Sequence, residues 1–131
     1  MKTAKYLALF LAVGFLGIVI LERFPGVMTP TDIEHTELMF NLFHISLLDD
    51  ITHFLSGLLG FIAVFAGYKW TVKYLMLIGG YYTLDALFFV VNGFATGQPV
   101  VENLMLNLPH IIIVAIVAYA LSKSVKNIEL V

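Results

Sequence analysis

Asp49-Asp50-Ile51-Thr52-His53-Phe54-Leu55-Ser56-Gly57-Leu58-Leu59-Gly60 is the stretch that decides how the rest of the chain is read. Two carboxyl groups and an imidazole stand at the mouth of an apolar run, Phe54 to Tyr68. A segment that turns so abruptly from polar to apolar, and spans about 20 residues with its polar end included, reads as a transmembrane helix with that end at one surface. A weaker copy, Asn107-Leu108-Pro109-His110, opens the last apolar run with the same Asx-x-x-His spacing.

Composition extends this reading to the whole molecule. The 131 residues are 60% hydrophobic and 12% charged, with a mean hydropathy of +0.96, far from the soluble average of about 25% charged. The length allows one domain, 1–131. A net charge of −2 and scattered basic residues exclude a nucleic-acid surface. There is no cysteine, so disulfides, thiolate ligands and redox thiols are excluded too. Four apolar runs, at 4–22, 48–68, 73–93 and 103–122, are each long enough to cross a hydrocarbon core. The expected fold class is therefore all-α: an integral membrane four-helix bundle built from two helical hairpins. The first run is followed by Glu22-Arg23-Phe24-Pro25-Gly26 with no small-x-small cleavage site, and reads as a retained helix.

Charge sets the orientation. Lys2, Lys5, Lys69, Lys73, Lys123 and Lys126 fall in segments that four spans place on one side. Only Arg23 joins the acids Glu22, Asp32, Glu34, Glu37, Asp49, Asp50 and Glu102 on the other. The positive-inside rule puts both termini and a short Lys69-to-Lys73 hairpin in the cytoplasm and the long first loop outside. In that loop Thr31-Asp32-Ile33-Glu34 matches a capping box, and the apolar residues from Leu38 to Ile45 suit a short interfacial helix. Trp70, Tyr68 and Tyr74 read as interfacial anchors. Lys5-Tyr6-Leu7-Ala8-Leu9 matches Lys73-Tyr74-Leu75-Met76-Leu77, and the His53 run matches the His110 run, which suggests an internal repeat of two hairpins.

Polar groups in hydrocarbon mark the places where function is sought. Asp85 falls inside the third span and should face the bundle interior. His53 follows Asp50 at i+3 and Asp49 at i+4, so a carboxylate can orient its ring. Ser56, Gly57, Gly60, Ala63 and Gly67 form a small-residue stripe for close helix packing. Asn103, Asn107 and His110 share a face of the last span, where Pro109 fits near a first turn. Threading brings Asp49, Asp50, His53, Asp85, Asn107 and His110 to the outer half of the membrane as a candidate polar pocket. The same residues have a structural reading, as solvated helix-start carboxylates and as histidines that hold helices together.

The run Leu42-Phe43-His44-Ile45-Ser46-Leu47-Leu48-Asp49-Asp50-Ile51-Thr52-His53, continuing to Gly60, resembles a helix pattern of a known family. It is that of the small bacterial four-helix membrane proteins catalogued as domain of unknown function 4383. Asn107-Leu108-Pro109-His110 resembles the start of that family's last helix, and Gly14 to Gly17 and Pro25-Gly26 also agree. Asp49-Asp50 stands where the family often has His-Asn, and Pro109 replaces a larger residue. The resemblance implies a four-helix membrane protein and carries no activity with it.

Three functions follow as expectations. The first is a non-catalytic accessory or assembly subunit in a prokaryotic plasma membrane or an internal membrane derived from it, packing on membrane partners or on itself. The second is a redox or pigment subunit with His53 and His110 as ligands to haem or another tetrapyrrole, or with Asp50, His53, Asp85 and His110 around a metal. No cofactor is required by the sequence. The third is a small proton-coupled transporter using Asp85. No Ser/His pair, HExxH or phosphate loop supports an enzyme, and no catalytic residue is assigned.

Overall fold

In the computed structural model, which describes residues 2–128, the apolar runs are helices: α1 (Lys2–Leu21), α2 (Leu47–Ala66), α3 (Tyr68–Ala95) and α4 (Val100–Ile128). All four are long and apolar enough to cross a membrane. Only a minority of each span is buried inside the molecule. Tyr6, Phe10, Ile20, Phe65, Leu84 and Val101 point outward, as side chains facing lipid do. On the inner side Ala4, Ala8, Leu11, Ala12 and Phe15 form one stripe of α1 at helical spacing. They meet Val64, Tyr74, Leu75, Ile78, Tyr82, Val117 and Ala120 in the core. Helix α1 packs most extensively on α2, and α3 on α4.

The small-residue stripe of α2 explains the first of these pairings. Ser56, Gly57, Gly60 and Ala63 are buried. A Cβ on Gly60 would lie 2.7 Å from the Ala12 Cβ and 2.7 Å from the Tyr74 hydroxyl, so the backbones approach only because no side chain stands there. Gly67 plays a different part from the one its spacing suggests. It is the sole residue between α2 and α3, with φ 113° and ψ 177°, a region essentially reserved for glycine. The expected cytoplasmic hairpin thus shrinks to one residue, and Lys69 to Lys73 form the first turns of α3. Thr71 Oγ1 donates to the carbonyls of Gly67 and Ala63 at 3.1 and 3.3 Å and ties the corner.

The loop between α1 and α2 corrects the sequence reading most clearly. Where a short interfacial helix was expected, the chain forms an antiparallel three-stranded sheet, β1 (Met28–Pro30), β2 (Thr36–Met39) and β3 (Phe43–Ser46), in the order β1-β2-β3. Met39 pairs with Phe43 and Met28 with Met39. The deciding residues are Phe40 and Asn41, both at positive φ (52° and 55°), with Leu42 N donating to Met39 O at 3.0 Å. That is the turn a two-stranded ribbon needs and a helix forbids. Thr31 does not cap a helix: its hydroxyl donates to Thr36 O at 2.8 Å and accepts from Ile33 N at 3.2 Å, closing the β1–β2 turn.

Two further expectations change. Pro109 lies inside α4, nine residues after its start, and not in the first turn. Its ring removes the backbone bond to the carbonyl four residues earlier. The repeat is not carried into packing, because Tyr6 is 64% exposed where its match Tyr74 is 4%, and Ala8 is buried where Met76 is exposed. Lys126, counted for orientation, has a side chain outside the described residues.

Candidate functional site

The six sequence-selected polar residues separate into a cap, an outer acid pair, an inner clasp and a brace. Asp49 is the cap. Ser46 N and Ser46 Oγ donate to Asp49 Oδ2 at 2.8 and 2.6 Å, and Asp49 N donates to Ser46 Oγ at 3.3 Å. This capping box starts α2, so one oxygen of the first carboxylate in the opening stretch serves helix initiation.

Asp50, one residue on, belongs to an outer acid pair with Glu22. Glu22 follows directly on α1 and is only 8% exposed, and both of its oxygens are buried without a donor from the described residues, as is Asp50 Oδ1. Glu22 is pushed up to about 8, by burial first and then by the Asp50 carboxyl against it. A carboxyl protonated over that range brings its own donor, which allows two carboxyls to lie side by side. Arg23 Nη2 reaches Asp50 Oδ2 at 3.9 Å from an exposed position.

The inner clasp draws on every helix. His110 Nδ1 of α4 lies 2.9 Å from Asp85 Oδ2 of α3, with both side chains about three-quarters shielded. The oxygen lies off the N–H axis, so this is a close polar contact and not an aligned hydrogen bond. Tyr82 of α3 packs against His110 with ring centroids 5.3 Å apart. Phe15 of α1 stacks on Tyr82 at 5.3 Å and on His53 of α2 at 6.0 Å. Asp49, Asp50, Asp85 and His110 all act electrostatically on His53, whose buried Nδ1 has no hydrogen-bond partner among the described residues.

Asn107 is part of the brace. Asn103, wholly buried, donates from Nδ2 to Val90 O of α3 at 2.9 Å. Asn107 Nδ2 donates in turn to Asn103 O and Oδ1 at 2.8 and 2.9 Å. Gly93 leaves the room for this, since a Cβ there would lie 2.7 Å from Asn103 Cγ.

Among the described residues no three His, Asp or Glu side chains gather in a group able to hold a metal ion. A bis-histidine tetrapyrrole needs a slot between its imidazoles, whereas here His53 and His110 are linked through the rings of Phe15 and Tyr82. Sequence reasoning missed Glu22 and Phe15, and it placed Asn103 on a face with Asn107 and His110 without the Val90 carbonyl that Asn103 meets. An acid directly closing an apolar run was the one available signal, for Glu22; nothing local distinguishes Phe15 from its lipid-facing neighbours.

Fold and site together define a class: four membrane-length apolar helices with an internal Asp-His contact and a small three-stranded sheet between the first two. No family model, no curated protein and no solved structure matches this chain.

Proposed function

We propose that this chain is a small non-catalytic integral membrane protein, an accessory or assembly subunit that packs laterally against membrane partners or another copy of itself. Both termini face the cytoplasm of a prokaryotic cell and the three-stranded sheet faces out, with α1–α2 and α3–α4 as two hairpins of a family resembling domain of unknown function 4383. The observation that carries this reading is how the intramembrane polar groups are used. Asp85 meets His110 and Asn103 holds Val90 O, both between α3 and α4, while Asn107 supports Asn103 within α4, so two of these polar contacts join helix to helix. Polar contacts of this kind act as glue between transmembrane helices. The apolar groove between α3 and α4, of about 200 Å³ and lined by Thr83, Ala86, Leu87, Val90, Ile111 and Val114, opens on the lipid side and suits lateral packing. The test is mild extraction from native membrane: co-isolation of a membrane protein, or self-association at native density, is expected. A chain that comes out monomeric and alone removes the basis of the reading.

One observation favours a second reading, that of a proton-coupled carrier. The unpartnered His53 Nδ1 and the Asp85–His110 contact put three titratable groups in one bundle interior. Substrate-dependent proton flux in liposomes that Asp85→Asn abolishes would favour the carrier; flux unchanged by that variant counts against it.

A further inference from the structure

The three-stranded sheet is sorted by polarity along its strands. The turn between β1 and β2, with the strand end beside it, carries Asp32, Glu34 and Glu37, all exposed. At the opposite end the β2–β3 turn reads Met39-Phe40-Asn41-Leu42-Phe43, without a charge. Phe40 N donates to Val27 O at 2.9 Å, which docks this turn on the equally uncharged Phe24-to-Val27 segment. Phe24 is 58% exposed, Phe40 57% and Leu42 43%, so two phenyl rings and a leucine share one open corner. Phe40 also holds φ at 52°, a region that Asn or Gly enters at less cost than an aromatic residue, so turn geometry does not explain the ring at the apex.

Helix α1 indicates what covers this corner. Its exposed residues Tyr6, Phe10, Val13, Gly17 and Ile20 follow one another at steps of four, three, four and three and form one lipid-facing stripe. The next step of four reaches Phe24. Backbone bonds from Arg23 N to Ile20 O and from Phe24 N to Leu21 O, both 3.0 Å, carry the helical path up to it. The corner therefore continues the lipid-facing surface of α1 without a break. Charge agrees with this placement. Arg23 stands beside the corner with its side chain 72% exposed and only a 3.9 Å contact to Asp50, and a guanidinium suits the phosphodiester of a lipid headgroup. The acids, which an anionic headgroup layer repels, stand at the far end of the strands.

We propose that this corner is a lipid-surface contact: Phe24, Phe40 and Leu42 insert into the headgroup–acyl boundary of the leaflet on the sheet's side, and the Asp32-to-Glu37 end stays in water. Apolar side chains at that level sit about 5–10 Å into the boundary. The contact holds the sheet down on the bilayer, so the β1–β2 turn is what the loop presents to water. The inference rests on the helices crossing a bilayer, and it holds whether or not the chain assembles with partners.

The test is tryptophan fluorescence of the full-length protein, one copy per nanodisc, in a Trp70→Phe background that removes the one native tryptophan. Single tryptophans are placed by Phe40→Trp at the corner, by Ile33→Trp in the acidic turn, where the native side chain is 61% exposed, and by Phe10→Trp in the middle of α1. Discs are made from phosphatidylcholine brominated either near the carbonyl end of its chains or near the methyl end, and acrylamide is the aqueous quencher. Phe40→Trp is expected to emit at shorter wavelength than Ile33→Trp, to lose more intensity to the shallow bromines than to the deep ones, and to be several-fold less open to acrylamide. Phe10→Trp reports the bilayer itself, and the deep bromines should quench it. With that quenching seen, the proposal is overturned if acrylamide reaches Phe40→Trp as readily as Ile33→Trp, or if the shallow bromines quench the two alike. It is overturned too if Phe40→Trp is shielded from acrylamide yet untouched by either bromolipid, as cover by protein requires. A Phe10→Trp that the deep bromines do not reach overturns the span of α1 and the proposal with it.

Discussion

Glu22 sits directly after α1, against the Asp50 carboxyl in the first turn of α2. Its carboxyl is held up to about 8 when folded, against an ordinary 4.5. Between those values the folded state binds more protons than the unfolded state, so this group's stabilisation is present below about 4.5 and falls as pH rises through 8. Thermal unfolding midpoints in detergent should therefore decline from pH 5 to pH 8, and Glu22→Gln should flatten that decline and be the more stable protein at pH 8. A slope unchanged in Glu22→Gln contradicts the shared-proton arrangement. The Asn103 brace permits a second expectation. Asn103→Ala removes the donor to Val90 O and one partner of Asn107, at a cost of about 1 kcal/mol in denaturant unfolding. At this scale the sequence showed which residues were polar in an apolar setting, and Asp50, His53, Asp85 and His110 were legible for that reason. It did not show which polar groups meet, because the i+3 and i+4 spacings that suggested an Asp49–His53 partnership compete with a nearer donor to Asp49, the Ser46 backbone N–H.

Helices were legible and the first loop was not, for a reason that Gly60, Asn41 and Gly67 make plain. Long apolar runs fix helices through hydrophobic length alone, and the stripe of small residues on α2 identified its packing face. A Cβ at Gly60 collides with Ala12 and Tyr74, so Gly60→Ala should destabilise the bundle by about 1–3 kcal/mol. Gly14 has nothing within 4 Å, and Gly14→Ala should be neutral or up to about 1 kcal/mol stabilising. Equal effects of the two substitutions would contradict the α1–α2 packing. In the loop, Leu38 to Ile45 has enough apolar residues for either a helix or a ribbon, and the choice is made by two positive-φ residues at the turn, Phe40 and Asn41. Asn41 carried a turn signal that a following Leu-Phe pair obscured. Gly67 looked like one more small residue on a helix face, and only its backbone angles reveal a corner.

For the whole molecule, four helices converge on the His53, Phe15, Tyr82, His110 and Asp85 set. Depth along each helix could be read from the sequence, and azimuth could not, which is why Asp85 and His110 were expected near one another while Phe15 went unnoticed. Orientation is open to direct test, since the chain has no cysteine. Glu37→Cys should react with a membrane-impermeant thiol reagent on intact cells, and Lys69→Cys only after permeabilisation. The central claim is that the intramembrane polar groups clasp helices, and a double-mutant cycle on Asp85→Asn and His110→Gln, read by unfolding in mixed micelles, tests it most directly. A coupling of about 0.5–2 kcal/mol is the predicted result, in the range of interhelical polar contacts in membranes. Strictly additive effects of the two substitutions would contradict it.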